Sequence, residues 1–196
     1  MHSRDQYCVL ICVFSSYRLN VFGNPLARGL EQTLNLGLLD QRLGVEWVRS
    51  NIANFGGDPS RITLWGQSAG AGSTDYYNFA YPTDPIVAGI ILDSSSAMSY
   101  GPASYDIGDS FTILAGNLGC GNLTASDELA CMKKVDFEKI ENFLKSYQDA
   151  GTAPTIKFGP IADNVTVFHD YAERYRTGNF SKVVSKPKYG CLQSPI

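Results

Sequence analysis

The residues best suited to covalent chemistry stand together at Gly66-Gln67-Ser68-Ala69-Gly70, a G-x-S-x-G pattern. A serine flanked in this way suits a nucleophile lifted on a sharp strand-to-helix turn, where a Cβ on either glycine would collide with the adjoining strand and helix. The pattern alone is weak, since a chain of this composition carries it by chance roughly one time in six. Its setting strengthens it: Arg61-Ile-Thr-Leu-Trp65 is a β-rich run, and helix-compatible sequence continues to about Tyr81-Pro82. The Ala69 N–H, opening that helix, would face the oxyanion formed when Ser68 attacks an acyl carbon. The competing reading is a glycine-rich turn with a structural serine.

Partners for such a serine are scarce. The chain has 2 histidines, His2 and His169. His169, beside Asp170 and Glu173, reads as a surface residue rather than a general base. Asp93 closes an apolar strand, where an acid partner can stand, but its simpler role is to end that strand. Trp47 and Trp65 lie within periodic apolar runs and read as core. The 5 cysteines include no C-x-x-C pair and neither histidine lies near a cysteine pair, which argues against zinc. Cys8 and Cys12 read as free core thiols, and Cys191 has no evident partner. Asn122, Asn164 and Asn179 each begin an N-x-[ST] sequon, and their clustering in the second half favours a secreted glycoprotein.

The elements that must position Ser68 follow from periodicity. Tyr7 to Phe14 is an apolar run that fits a buried strand better than a secretory h-region. From Leu36 to Phe55 the residues Leu36, Leu39, Leu43 and Trp47 recur at helical spacing, with Val45, Val48 and Ile52 on an adjoining stripe, predicting a helix with a wide buried face. Gly56-Gly57-Asp58-Pro59 ends it, and Gly37 and Gly44 within it cost about 1 kcal/mol each, so packing must hold it. Ile86 to Leu92 predicts a strand buried on both faces. Strand and helix alternate, as in a parallel sheet with the first and third strands flanking that of Ser68. Beyond Tyr100 the chain turns helical and irregular: Ile107, Phe111, Leu114 and Leu118 mark one helix, with others near Leu129 and from Phe137, capped by Asp136, to Tyr147, with Gly151 and Pro154 at the exit.

Composition fits one domain. The 196 residues are 44% hydrophobic and carry a formal net charge of -3, enough apolar content for a core and no basic footprint for nucleic acid or an anionic membrane. No apolar run approaches the roughly 20 residues of a membrane span.

Residues 51 to 73, Asn-Ile-Ala-Asn-Phe-Gly-Gly-Asp-Pro-Ser-Arg-Ile-Thr-Leu-Trp-Gly-Gln-Ser-Ala-Gly-Ala-Gly-Ser, resemble the type-B carboxylesterase family of cholinesterases and fungal lipases. The resemblance extends upstream through Tyr17 to Gly23 and Leu36 to Arg42, downstream through Leu92 to Ala97, and more loosely to about residue 180. It implies an α/β-hydrolase fold, ester or lipid substrates, no cofactor, and a Ser-His-Glu or Ser-His-Asp triad in which Ser68 is the nucleophile. It also implies that Cys120 and Cys131 form a disulfide.

Departures from the family pattern accompany the match. Gln67 stands where many members have Glu, and Asn24 where an aromatic is usual. The family's glycine-rich oxyanion loop would precede Tyr17-Arg18-Leu19 and has no counterpart here. His169 falls upstream of where the acid belongs, and no Gly-x-x-x-x-Glu-Gly segment follows Lys182. The expectation is therefore that residues 1–196 form an interior portion of one esterase domain, inactive without its base and acid. The alternative is a cholinesterase-like binding or adhesion module that lacks the triad. Ser68 argues against it.

Overall fold

The computed structural model describes residues 10–30, 34–100 and 109–188. Along them run α1 (Asn20–Gly23), α2 (Leu36–Asn51), a 3-10 turn (Ile52–Phe55), β1 (Thr63–Gln67), α3 (Ala69–Ala80), β2 (Gly89–Asp93) and α4 (Ala97–Tyr100). Then follow α5 (Asp109–Asn117), α6 (Ala125–Met132), α7 (Phe137–Asp149), α8 (Tyr171–Thr177) and β3 (Val184–Lys188). The strands form a parallel sheet in the order β1-β2-β3, with Thr63 opposite Gly89, Gln67 opposite Asp93, and Gly89 opposite Val184. This is the expected α/β arrangement: a short parallel sheet with helices, then a helical half.

The sheet's membership differs from the sequence expectation. Residues 10–14 of the Tyr7 to Phe14 run form no strand, and Leu10 and Phe14 are 79% and 95% exposed; residues 7–9 lie outside the described residues. The expected place for this run was beside β1, but an apolar run becomes a strand only where its backbone pairs with a sheet edge, and among the described residues β1 pairs with β2 alone. β3 contains Pro187, whose missing N–H suits a strand paired on one side only.

α2 begins at Leu36 as expected, but it stops at Asn51 and a 3-10 turn carries the segment to Phe55. Gly56, at φ 81, turns the chain out of the 3-10 segment, and its N–H reaches the Ala53 and Ile52 carbonyls. Gly37 is held by a close approach, since a Cβ there would meet the Arg18 carbonyl oxygen at 2.4 Å. The buried face, however, is carried by Leu38, Val45 and Ile52, whereas Leu43 and Trp47 are 65% and 51% exposed and Leu39 lies at the margin. Trp65 is likewise 60% exposed, on the side of β1 opposite Leu64 and Gly66, where Gly66 abuts α3. Neither tryptophan is core. Cys12 is also exposed, not a core thiol, and Cys8 lies outside the described residues.

Two packed regions position the serine turn. Beneath α3, Tyr76 and Phe79 pack with Leu38 of α2, Ala97 of α4, and Val167, Phe168 and Tyr171 at the start of α8. Val45, Tyr77, Val87 and Ile90 form the second, between α2, α3 and β2. Arg42 ties these helices together, donating to Glu46, to the Tyr77 hydroxyl and to Asp84. Burial pushes the Tyr77 phenol up to about 12, so at neutral pH it stays protonated and donates to the Pro85 carbonyl.

The helical half has its own core of Phe111, Leu114, Ala115, Cys120, Met132 and Ile140. Thr124 and Asp136 cap α6 and α7 by accepting the Asp127 and Glu138 N–H groups. Cys120 and Cys131 form the disulfide that the resemblance implied, with Cα atoms 5.8 Å apart. Closing a loop of about 12 residues contributes roughly 3 kcal/mol in the chain-entropy model.

Candidate active site

Ser68 occupies the single residue between β1 and α3, with φ 51 and ψ -117. That φ lies in the left-handed region, which a serine enters only at a cost of order 1–3 kcal/mol, and such strain persists where the surroundings enforce it. The enforcement is visible. The Ser68 N–H donates to the Asp93 carbonyl at the end of β2, and its own carbonyl accepts from the Gly72 N–H one turn into α3. The turn is thus pinned to the C-terminal edge of the parallel sheet.

Gly66 is sterically required. A Cβ there would lie 2.0 Å from the Gly70 carbonyl oxygen and 2.7 Å from the Ala71 nitrogen, so β1 and α3 meet across a gap that only glycine leaves open. Gly70 differs from the sequence expectation, because a Cβ at this position meets nothing within 4 Å. It sits in the first turn of α3, facing away from the strand.

The Ser68 hydroxyl is exposed and makes no hydrogen bond among the described residues. Ala69 opens α3, where a backbone N–H has no intrahelical acceptor. Ala69 also lines a cleft of about 140 Å³ whose walls include Leu19, Leu38, Tyr76, Ser73 and Asn24. His169 is exposed at the entry to α8 and makes no hydrogen bond to Ser68, and His2 lies outside the described residues. The Asp93 carboxylate accepts from its neighbour Ser94, while its carbonyl serves Ser68. Ser94 is a second serine with positive φ, at 69, at the end of the adjoining strand. Among the described residues no cluster of His, Cys, Asp and Glu has the makings of a metal site. Asn122, Asn164 and Asn179 are all exposed, away from this edge in sequence and on loops or helix exits.

Sequence reasoning overlooked Asp75. It lies seven residues after Ser68, two turns down α3, and is 7% exposed. Its carboxylate accepts the Ala97 N–H at 2.8 Å and the Asn78 side-chain amide at 3.3 Å, so it fastens the start of α4 to the helix that carries Ser68. An acid within the aromatic run Tyr76-Tyr77-Asn78-Phe79 was the available signal. Desolvation by burial pushes the Asp75 carboxyl above the usual carboxylate range, against the two hydrogen bonds that lower it. The folded state therefore holds a proton that the unfolded chain has already released, and the stability this group contributes falls as pH rises from the ordinary carboxylate value through the raised one. Asp75→Asn, which retains an acceptor for Ala97, is expected to be more stable than the parent at pH 7 and to converge with it near pH 4. Asp75→Leu, which strands the Ala97 N–H, is expected to lose about 1–3 kcal/mol. Urea midpoints across this pH range check both, and a gap between Asn and parent that widens toward pH 4 would refute the assignment.

The Carboxylesterase family model matches residues 5–185. The chain is 48% identical over 173 residues to a chlorogenic acid esterase of Aspergillus niger, covering 88% of this chain and 33% of that protein. It is 47% identical over 182 residues to secreted lipase 5 of Gibberella zeae, with 88% and 33% covered. Among solved structures, the crystal structure of Aspergillus niger EstA superposes with a TM-score of 0.69 at 30% identity, covering 86% of this chain and 34% of that one. The chain spans about a third of the length of these relatives.

Proposed function

The chain belongs to the carboxylesterase family, and from that premise we propose that Ser68 is the acyl-accepting nucleophile of a carboxylic ester hydrolase. The observation that carries this reading is the strained Ser68 between β1 and α3, held at the sheet edge with its side chain exposed. Ser68 Oγ attacks the ester carbonyl carbon, the carbonyl oxygen takes up the negative charge, and the Ala69 N–H donates to that oxyanion. The Ser68 proton passes through a base to the departing alkoxide, so collapse expels the alcohol and leaves an acyl group on Ser68, which water then removes as the carboxylic acid, returning a proton to Ser68 Oγ. The preformed turn contributes because donor and nucleophile need no rearrangement as charge develops.

Ester hydrolysis through a serine needs a base to take the hydroxyl proton, and neither His2 nor His169 is assigned that role. Residues 1–196 by themselves are therefore expected to hydrolyse p-nitrophenyl butyrate slowly or not at all. Ser68-dependent turnover near the 10 s⁻¹ typical of enzymes would overturn this part of the reading and return the histidines to consideration.

The substrates are esters of small molecules or lipids. The reading places the protein outside the cell, supported by the Cys120–Cys131 disulfide, the exposed sequon asparagines and a relative named as a secreted lipase. Asn122, Asn164 and Asn179 would then carry glycans. No helix among the described residues is long and apolar enough to cross a membrane.

A further inference from the structure

We propose that the folded chain presents one open acceptor for an N-linked oligosaccharide, Asn122, and that Asn164 and Asn179 accept one only before the chain has folded around them. This rests on the reading of the protein as a secreted glycoprotein. Transfer joins the asparagine amide nitrogen to C1 of the first sugar; the C1–O bond to a lipid diphosphate breaks, the lipid diphosphate departs, and the amide proton goes to a base of the transferase. The transferase reads the Ser or Thr hydroxyl two residues on, so that hydroxyl must be reachable as well as the amide. All three asparagines are exposed, but their hydroxyl partners are not alike. Thr166 and Ser181 are each 2% exposed, whereas Thr124 lies on the surface.

The Thr166 hydroxyl accepts from the Asn35 amide and donates to the Asp163 carboxylate, whose other oxygen accepts the Val165, Thr166 and Val167 N–H groups. Asn35 is itself fully buried and tied to Ile161. Ser181 donates its hydroxyl to the Asn78 side chain and its N–H to the Asn78 carbonyl, while Phe180, the middle residue of that sequon, packs on Phe79. Asn35 and Asn78 stand 131 and 103 residues earlier in the chain than the hydroxyls they hold, so these contacts exist only once the chain has folded. Freeing Thr166 also disturbs Val167 and Phe168, 1% and 4% exposed, and each apolar side chain drawn out of a core lowers the open population roughly tenfold or more. Among the described residues the Asn122 sequon has no such tether. Leu123 is 47% exposed, and the Thr124 hydroxyl bonds Asp127, three residues on, as the cap of α6. Undoing a cap lowers the open population roughly 2- to 30-fold and leaves the Cys120–Cys131 disulfide and the core in place.

The test follows transfer to finished protein. The disulfide-bonded protein at its encoded length, made without glycans, would be incubated with a solubilised oligosaccharyltransferase and a lipid-diphosphate-linked oligosaccharide, and its glycopeptides quantified by mass spectrometry. Peptides spanning residues 118–128, 160–170 and 175–185 serve as unfolded acceptors. All three peptides are expected to be glycosylated, and the folded protein to take sugar at Asn122 at least about tenfold faster than at Asn164 or Asn179. Asn78→Ala, which frees the Ser181 hydroxyl, is expected to raise transfer to Asn179 about threefold or more with Asn164 unchanged, in a variant whose circular dichroism matches the parent. The comparison of protein with peptides needs no variant to fold. Transfer to Asn164 or Asn179 of the folded protein at the Asn122 rate, refusal of the folded protein at Asn122, or refusal of either later peptide overturns the proposal, as does a folded Asn78→Ala variant with Asn179 no more reactive. Loss of the secreted reading would show instead as protein from a secreting eukaryotic host that carries no glycan, with the pattern of transfer in vitro unchanged.

Discussion

Ser68→Ala is expected to lower ester turnover by the protein at its encoded length by at least about 10³-fold, toward the 10⁶ range seen when a serine nucleophile is removed from a complete triad. The residual rate is what oxyanion stabilisation and binding alone provide. Alanine at this position removes only Oγ, which has no hydrogen bond among the described residues, so the fold loses no contact. Stability should change little, since φ 51 strains alanine as it strains serine. The diagnostic combination is a collapse in kcat with an unchanged urea midpoint. A variant that keeps more than a tenth of the parent's kcat/KM would remove Ser68 from the mechanism.

Gly66→Ala should have the largest structural effect. Its Cβ would lie 2.0 Å from the Gly70 carbonyl oxygen and 2.2 Å from the Gly70 carbonyl carbon, both backbone atoms fixed within α3. No rotamer change relieves an overlap between two backbones, so β1 and α3 must separate and the Ser68 turn must open. The expected cost exceeds about 4 kcal/mol, in the range reserved for severe steric or polar disruption. Gly70→Ala serves as the internal control, with open space around its Cβ and a helical position where alanine is favoured by up to about 1 kcal/mol. Urea denaturation followed by circular dichroism should show Gly66→Ala unfolding far earlier than the parent and Gly70→Ala no earlier. Equal midpoints for the two would mean that the strand–helix contact is looser than described.

The serine turn was legible in the sequence because its requirements are local. A β-rich run, a glycine that must lack a side chain and an immediate helix start are all encoded within about ten residues of Ser68. The start of α2 and the exit of the 3-10 turn that follows it were legible for the same reason, since Gly56 supplies the left-handed residue that the exit needs, whereas the change from α to 3-10 at Ile52 was not. Which face of α2 is buried was not. Leu39, Leu43 and Trp47 obey helical periodicity as well as Leu38, Val45 and Ile52 do, and periodicity says nothing about which stripe another element covers. The same limit explains the run to Phe14, read as a strand from its apolarity, and β3, missed because Lys186, Pro187 and Lys188 carry no strand pattern. Strand identity there comes from pairing with β2, a long-range contact. In the site, Asn24 stood out in the sequence only as a polar residue in an aromatic's place. Its burial, with an Oδ1 that has no partner among the described residues, required three dimensions.

The central claim is that Ser68 attacks acyl-type electrophiles, and covalent labelling reads it most directly. The protein at its encoded length would be treated with a fluorophosphonate, which phosphonylates an activated serine with loss of fluoride, then digested and examined by mass spectrometry. The account predicts one phosphonylated residue, Ser68, with labelling and ester hydrolysis lost in parallel and no label in the Ser68→Ala variant. Hydrolysis that proceeds while Ser68 remains unmodified, or label that settles on another serine such as Ser94, would contradict it.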